Sequence, residues 1–128
     1  MRYTKKVSVW PVGFVARMEY AGPIVENNTV RKWRTVFHPE RPFSVDMAGF
    51  AVNTQLLFDN PNLGFFPSTE IGYLETDFIK QLNVTQKDLE PKADKCTKIL
   101  VWHTRTVRPS LVQEKSDILK NLPPVLEV

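Results

Sequence analysis

Ten prolines are spread through these 128 residues, and they limit how far any one element can run. Each proline removes a backbone donor and pushes the residue before it out of helical geometry. Pro11, with Gly13, interrupts the strand signal of Val7, Val9 and Val12. Pro39 and Pro42 stiffen His38-Pro39-Glu40-Arg41-Pro42 into a loop, Asn60-Pro61 stops whatever precedes it, and Pro91 does the same further on. Three more prolines follow Arg108 in the tail. The chain reads as short strands and short helices joined by firm loops, an α/β pattern.

Between these stops the local signals are specific. Ile24-Val25, then Glu26-Asn27-Asn28-Thr29, then Val30 to Phe37 reads as a hairpin, because Asn tolerates the turn positions. Neither face of its second strand is cleanly apolar, so the ribbon is expected to be half exposed. Thr54 to Phe58 opens a helix capped by Asn53 or Thr54, and residues 60–72 form a long surface loop. Leu74, Phe78 and Leu82 recur at a spacing of four beside Ile79, predicting an amphipathic helix that starts between Thr69 and Glu75. Thr85 and Asp88 have capping-box spacing for a very short helix. Ile99-Leu100-Val101-Trp102 is a compact strand candidate, a helical turn is expected between Val112 and Leu119, and Val125 to Val128 reads as an extended arm.

Composition narrows the class without naming it. Hydrophobic residues at 42% and charged residues at 24% describe a globular domain. The net charge of +3 allows an anionic small molecule but gives no case for nucleic acid, which is not expected as a partner. The single Cys96 excludes an internal disulfide framework and a thiolate-rich metal site. The apolar run near the start is too short for a signal peptide or membrane span, so the protein is either cytosolic or a piece of a longer one.

Few residues carry chemistry on their own. Glu75 lies at a helix start, where free N–H groups favour a carboxylate; it reads either as a first-turn acid or as a general base. Asp46 falls inside an apolar run and needs a partner, for which Arg34, Arg41 and Arg105 are candidates, either in a structural ion pair or at a binding site. Gly49 marks a bend or a close approach to a ligand. His103 and Arg105 alternate out of one strand end and can face the same way, as a phosphate-binding pair or as a plain surface edge. His38 and His103 are too isolated for a metal site, and no metal ligand is assigned within the chain. Asn27-Asn28-Thr29 and Asn83-Val84-Thr85 fit the N-glycosylation pattern.

Four strings go further. Tyr3 to Gly13 (YTKKVSVWPVG), Glu40 to Ala51 (ERPFSVDMAGFA), Asp88 to Ala93 (DLEPKA) and Leu100 to Thr106 (LVWHTRT), with the closing Glu127-Val128, resemble the animal β-1,3-glucuronosyltransferases. That family includes the galactosylgalactosylxylosylprotein 3-β-glucuronosyltransferases and the relatives that make the HNK-1 epitope. The resemblance runs over essentially the whole chain and matches the C-terminal, acceptor-side half of the family's catalytic domain. It implies a GT-A fold, here with an incomplete sheet and short helices, and residues 1–128 forming the acceptor-binding and catalytic-base half. It implies inverting transfer of glucuronic acid from UDP-glucuronate to the 3-hydroxyl of a terminal galactose.

Residue by residue, the resemblance puts Glu75 at the catalytic base. It puts Arg41 and Asp46 at the acceptor galactose and transferred sugar, and His103 and Arg105 at the donor's glucuronate and diphosphate. Gln113 would reach a neighbour's acceptor across a homodimer. Lys95-Cys96-Thr97 departs from the family's glycosylation triplet, which leaves Asn27 and Asn83. The resemblance further implies that a uridine-binding half with an acidic Mn2+ site lies upstream, with a membrane anchor holding the parent in the Golgi lumen as a type II protein. Met1 is then an internal residue or the start of an incomplete reading frame, and the piece alone is expected to be inactive. The alternatives are a related transferase with another acceptor and a non-catalytic sugar-binding module.

Overall fold

The computed structural model describes residues 2–115 together with Leu119 and Leu122. Two small sheets and several short helices make up the expected α/β architecture. The first sheet has the order β5-β1-β6, formed by β1 (Val7–Val9), β5 (Phe50–Val52) and β6 (Leu89–Pro91). β1 runs antiparallel to β5 and parallel to β6. The second is antiparallel, β2-β3-β4, formed by β2 (Val12–Gly13), β3 (Tyr20–Glu26) and β4 (Thr29–Arg34). Pro11 separates β1 from β2, so one short apolar run serves both sheets. β1 is fully buried along its length, because it is the middle strand of its sheet and is covered on both faces.

The hairpin forms as expected, with Asn27 (φ 50°) and Asn28 (φ 60°) taking the left-handed turn positions. The uncertain faces of β4 have a structural cause. Ile24 pairs with Lys32 but Val25 pairs with Val30, so Arg31 is an extra residue on β4. A bulge of this kind resets the two-residue alternation. Val30 and Trp33, which strict alternation puts on opposite faces, are thereby both buried. Pro23 of β3 lies beyond Tyr20 and Ala21, the two residues that pair with β2.

The long helical signals are shorter in the structure than in the sequence. α1 (Thr54–Asp59) is capped by Asn53, whose side chain accepts from the Gln55 N–H at 2.9 Å. α2 spans Leu74–Lys80, so its start lies at the late edge of the expected range. Its buried residues are Thr76 and Ile79, whereas Leu74 is 40% exposed. The face toward the core is therefore rotated from the Leu74–Phe78–Leu82 stripe. The core proper gathers Val7, Val9, Trp33, Phe43, Ile79 and Leu89 with their neighbours, uniting both sheets and α2.

Two other expectations are corrected. Thr85 and Asp88 do form a reciprocal capping box, with the Asp88 carboxylate accepting from the Thr85 N–H and hydroxyl at 2.8 Å each. These bonds, the backbone one first, hold Asp88 down at about 2. The helix that follows is only a 3-10 turn, Gln86–Asp88, and Leu89 to Pro91 joins the first sheet as β6. Ile99 to Trp102 is not a regular strand. It meets β2 in a single parallel bridge, with Gly13 N–H donating to Val101 O at 2.9 Å and His103 N–H to Gly13 O at 2.8 Å. Beyond it, Val112–Lys115 forms a 3-10 turn, and residues 125–128, read as an arm, lie outside the described residues.

Candidate active site

One loop organises the chemistry. It runs from His38 to Gly49, and its middle is pinned to α2 by the buried Thr76 hydroxyl, which donates to Phe43 O at 2.7 Å. Arg41 stands near one end and Asp46 near the other.

At the first end the Arg41 guanidinium lies in a cage of backbone carbonyls. Nε donates to His38 O at 3.2 Å, Nη1 to Gly72 O at 2.6 Å and Nη2 to Phe37 O at 3.0 Å. The rings of Phe37 and Tyr73 flank it at 5.1 and 5.5 Å. Burial lowers its pKa from the usual value, and Tyr73, Glu75 and Glu40 pull the other way. Glu75 is thus within electrostatic reach of Arg41. It stands, half-buried, in the first turn of α2, two residues after Tyr73 of the Gly72-Tyr73 pair that holds the guanidinium. Three of the five guanidinium N–H groups are committed to carbonyls, and the residue is buried.

The cage depends on Gly72. Its φ is +85°, and a Cβ there would stand 2.4 Å from Phe37 Cε1. Gly72→Ala is expected to cost roughly 2 kcal/mol, from steric overlap and left-handed strain together. Urea denaturation of the two proteins measures it; equal midpoints would mean that Phe37 moves aside freely.

At the second end Asp46 turns the chain. Its Oδ1 accepts from the Ala48 N–H at 2.9 Å and its carbonyl from the Gly49 N–H at 2.7 Å. Oδ2 lies 3.1 Å from Nδ1 of His103. The partner of Asp46 is therefore a histidine distant in sequence, not Arg34, Arg41 or Arg105. Arg34 is held elsewhere, donating to Tyr20 O and lying over the Tyr20 ring at 4.1 Å. Gly49 serves the bend: a Cβ there would meet Asp46 O and Val12 Cγ2 at 3.1 Å each. The bend is seated on Trp10, whose indole N–H donates to Ala48 O at 2.8 Å.

With Nδ1 held by Asp46, His103 keeps Nε2 for a ligand. His103 and Arg105 line one open cleft of about 430 Å³, together with Arg17 and Arg108. Among the described residues none that lines the cleft is acidic. Sequence reading missed Arg17 and Arg108, since neither belongs to a recognisable pattern; it likewise missed the Phe37–Tyr73 cage. Gln113 reaches the rim of this cleft through its backbone, with its N–H donating to Arg17 O at 3.1 Å.

The remaining candidates lie away from this loop. Asn27 and Asn83 are both exposed, each at a positive φ in a turn. Cys96 is buried, and burial pushes its thiol up to about 12, an inert group. Among the described residues no three His, Cys, Asp or Glu side chains stand together as a metal site. Among the same residues no helix is long and apolar enough to cross a membrane.

Residues 1–107 match the model of glycosyltransferase family 43. The chain is 50% identical over 115 residues to human galactosylgalactosylxylosylprotein 3-beta-glucuronosyltransferase 3, covering 90% of this chain and 34% of the relative. It is 52% identical over 116 residues to human galactosylgalactosylxylosylprotein 3-beta-glucuronosyltransferase 1, covering 89% and 34%. The second human relative of this name, numbered 2, is 50% identical over 115 residues, covering 89% and 35%. The chain spans about a third of the length of these curated relatives. With most of its length matched by the family and half its residues shared with these enzymes, the chain belongs to glycosyltransferase family 43.

Proposed function

We propose that residues 1–128 supply the acceptor-binding and catalytic-base half of an inverting glucuronosyltransferase with a GT-A catalytic domain. The reaction moves glucuronic acid from UDP-glucuronate to the 3-hydroxyl of a galactose that ends a glycoprotein or proteoglycan-linker glycan. The observation that carries this reading is the single loop that sets Arg41 beside the start of α2 and Asp46 on His103. It gives a carboxylate, Glu75, within electrostatic reach of the Arg41 guanidinium, and an imidazole and guanidinium on a cleft with no acid among its described lining residues.

In this reading Glu75 takes the proton from the galactose 3-hydroxyl as its oxygen attacks the anomeric carbon, and UDP leaves from the opposite face. Arg41 offers its spare donors to the acceptor sugar. Asp46 orients His103, and His103 and Arg105 meet the negative charge that gathers on the departing diphosphate. The family's manganese belongs with the donor, where it would offset phosphate charge. The described residues do not form a ligand set for it, so no step above runs through it. The reading also carries the family's setting, a homodimer in the Golgi lumen on a type II anchor, with Gln113 at the neighbour's acceptor.

The test is a transfer assay with labelled UDP-glucuronate and a galactose-terminated disaccharide. The 128-residue chain alone is expected to give no product. A chimera in which it replaces the matching segment of human relative 3 is expected to give manganese-dependent transfer. A folded chimera that binds the disaccharide but transfers nothing would favour a sugar-binding module. Transfer by the isolated chain would overturn the division into halves.

A further inference from the structure

The segment between β2 and β3 crosses the cleft with three residues in the left-handed region: Phe14 (φ 56°), Ala16 (φ 52°) and Arg17 (φ 59°). None is glycine, although glycine alone adopts this conformation without steric cost. The Arg17 backbone is used, since its carbonyl accepts from the Gln113 N–H. Its side chain is exposed and makes no hydrogen bond or ion pair among the described residues. Strain at a position whose side chain does nothing for the fold points to a use outside the fold. Arg17 lines the cleft shared by His103, Arg105 and Arg108, whose described lining residues include no carboxylate.

We propose that Arg17 is a donor-binding residue whose guanidinium, with that of Arg105, grips the diphosphate of a nucleotide sugar. The assignment rests on reading this cleft as the donor side. A diphosphate suits it better than a single carboxylate does, because it offers several oxygens to several planar forks of donors.

The test uses the 128-residue chain and two probes, inorganic pyrophosphate and glucuronic acid, titrated by calorimetry. The informative substitution is Arg17→Gly, which removes the cation and relieves the left-handed backbone together. It is expected to weaken pyrophosphate binding about tenfold, the loss of one charge-assisted contact. The melting temperature should stay level or rise, and Arg17→Lys should fall between the two. Arg31→Ala, on the exposed side of β4, should change nothing. If Arg105→Ala weakens pyrophosphate binding and Arg17→Gly does not, the Arg17 assignment falls and the donor cleft stands. If the chain binds no pyrophosphate, or Arg17→Gly, Arg105→Ala and His103→Ala all bind normally, both fall. A lower melting temperature in Arg17→Gly would make the side chain structural, and a loss confined to glucuronic acid would reject the diphosphate.

Discussion

Glu75→Gln in the chimeric transferase should lower turnover about 10³-fold while the dissociation constant for UDP-glucuronate stays within a factor of about two. Glutamine keeps the size and hydrogen-bonding reach of the side chain but cannot accept the hydroxyl proton. Donor binding is assigned to the cleft of His103 and Arg105, whose described lining does not include Glu75, so it has no reason to fail. The acceptor is still held by Arg41, so its KM should change little. A variant that loses donor affinity as steeply as turnover would move Glu75 out of the base position.

Arg41→Ala is expected to destabilise the folded chain by about 3 kcal/mol, because three carbonyl oxygens lose their donor. Those carbonyls belong to Phe37, His38 and Gly72, two separate stretches that the guanidinium ties together. Arg41→Lys should recover less than half, since an ammonium lacks the planar fork that meets all three at once. Equilibrium urea unfolding checks both variants. A midpoint unchanged from the parent would show that the cage closes without its cation, leaving Arg41 only its role toward the acceptor.

These two residues also show what the sequence reveals and what it hides. Signals that act within a few residues are legible: Asn53 caps α1, Thr85 and Asp88 bond reciprocally, and Asn27-Asn28 turns the hairpin. Each depends on side chains and backbone groups already adjacent in the chain. Contacts that close over long separations are not legible. β6 exists because Leu89 to Pro91 lies parallel to β1, and Ile99 to Trp102 stays irregular, with a single bridge, to Gly13, among the described residues. Charge alone points to an arginine as the Asp46 partner, yet a histidine 57 residues away holds the position. The bulge at Arg31 and the left-handed backbone at Arg17 leave no trace in residue type. Glu75 itself is ordinary by local rules, one acid in the first turn of a short helix. Its assignment comes from the family resemblance, with the Arg41 cage beside it as the physical support.

Glu75 as the base can be separated from every other role by a nucleophile that has no proton to lose. Azide attacks an anomeric carbon directly and forms a carbon–nitrogen bond as UDP departs, without a general base. With Glu75→Ala in the chimera, which also opens space at the start of α2, added azide should restore release of UDP from UDP-glucuronate. The product should be the inverted β-glucuronyl azide, while transfer to galactose stays lost. No azide product from a variant that still binds UDP-glucuronate at the parent's affinity would contradict the assignment of Glu75 as the base.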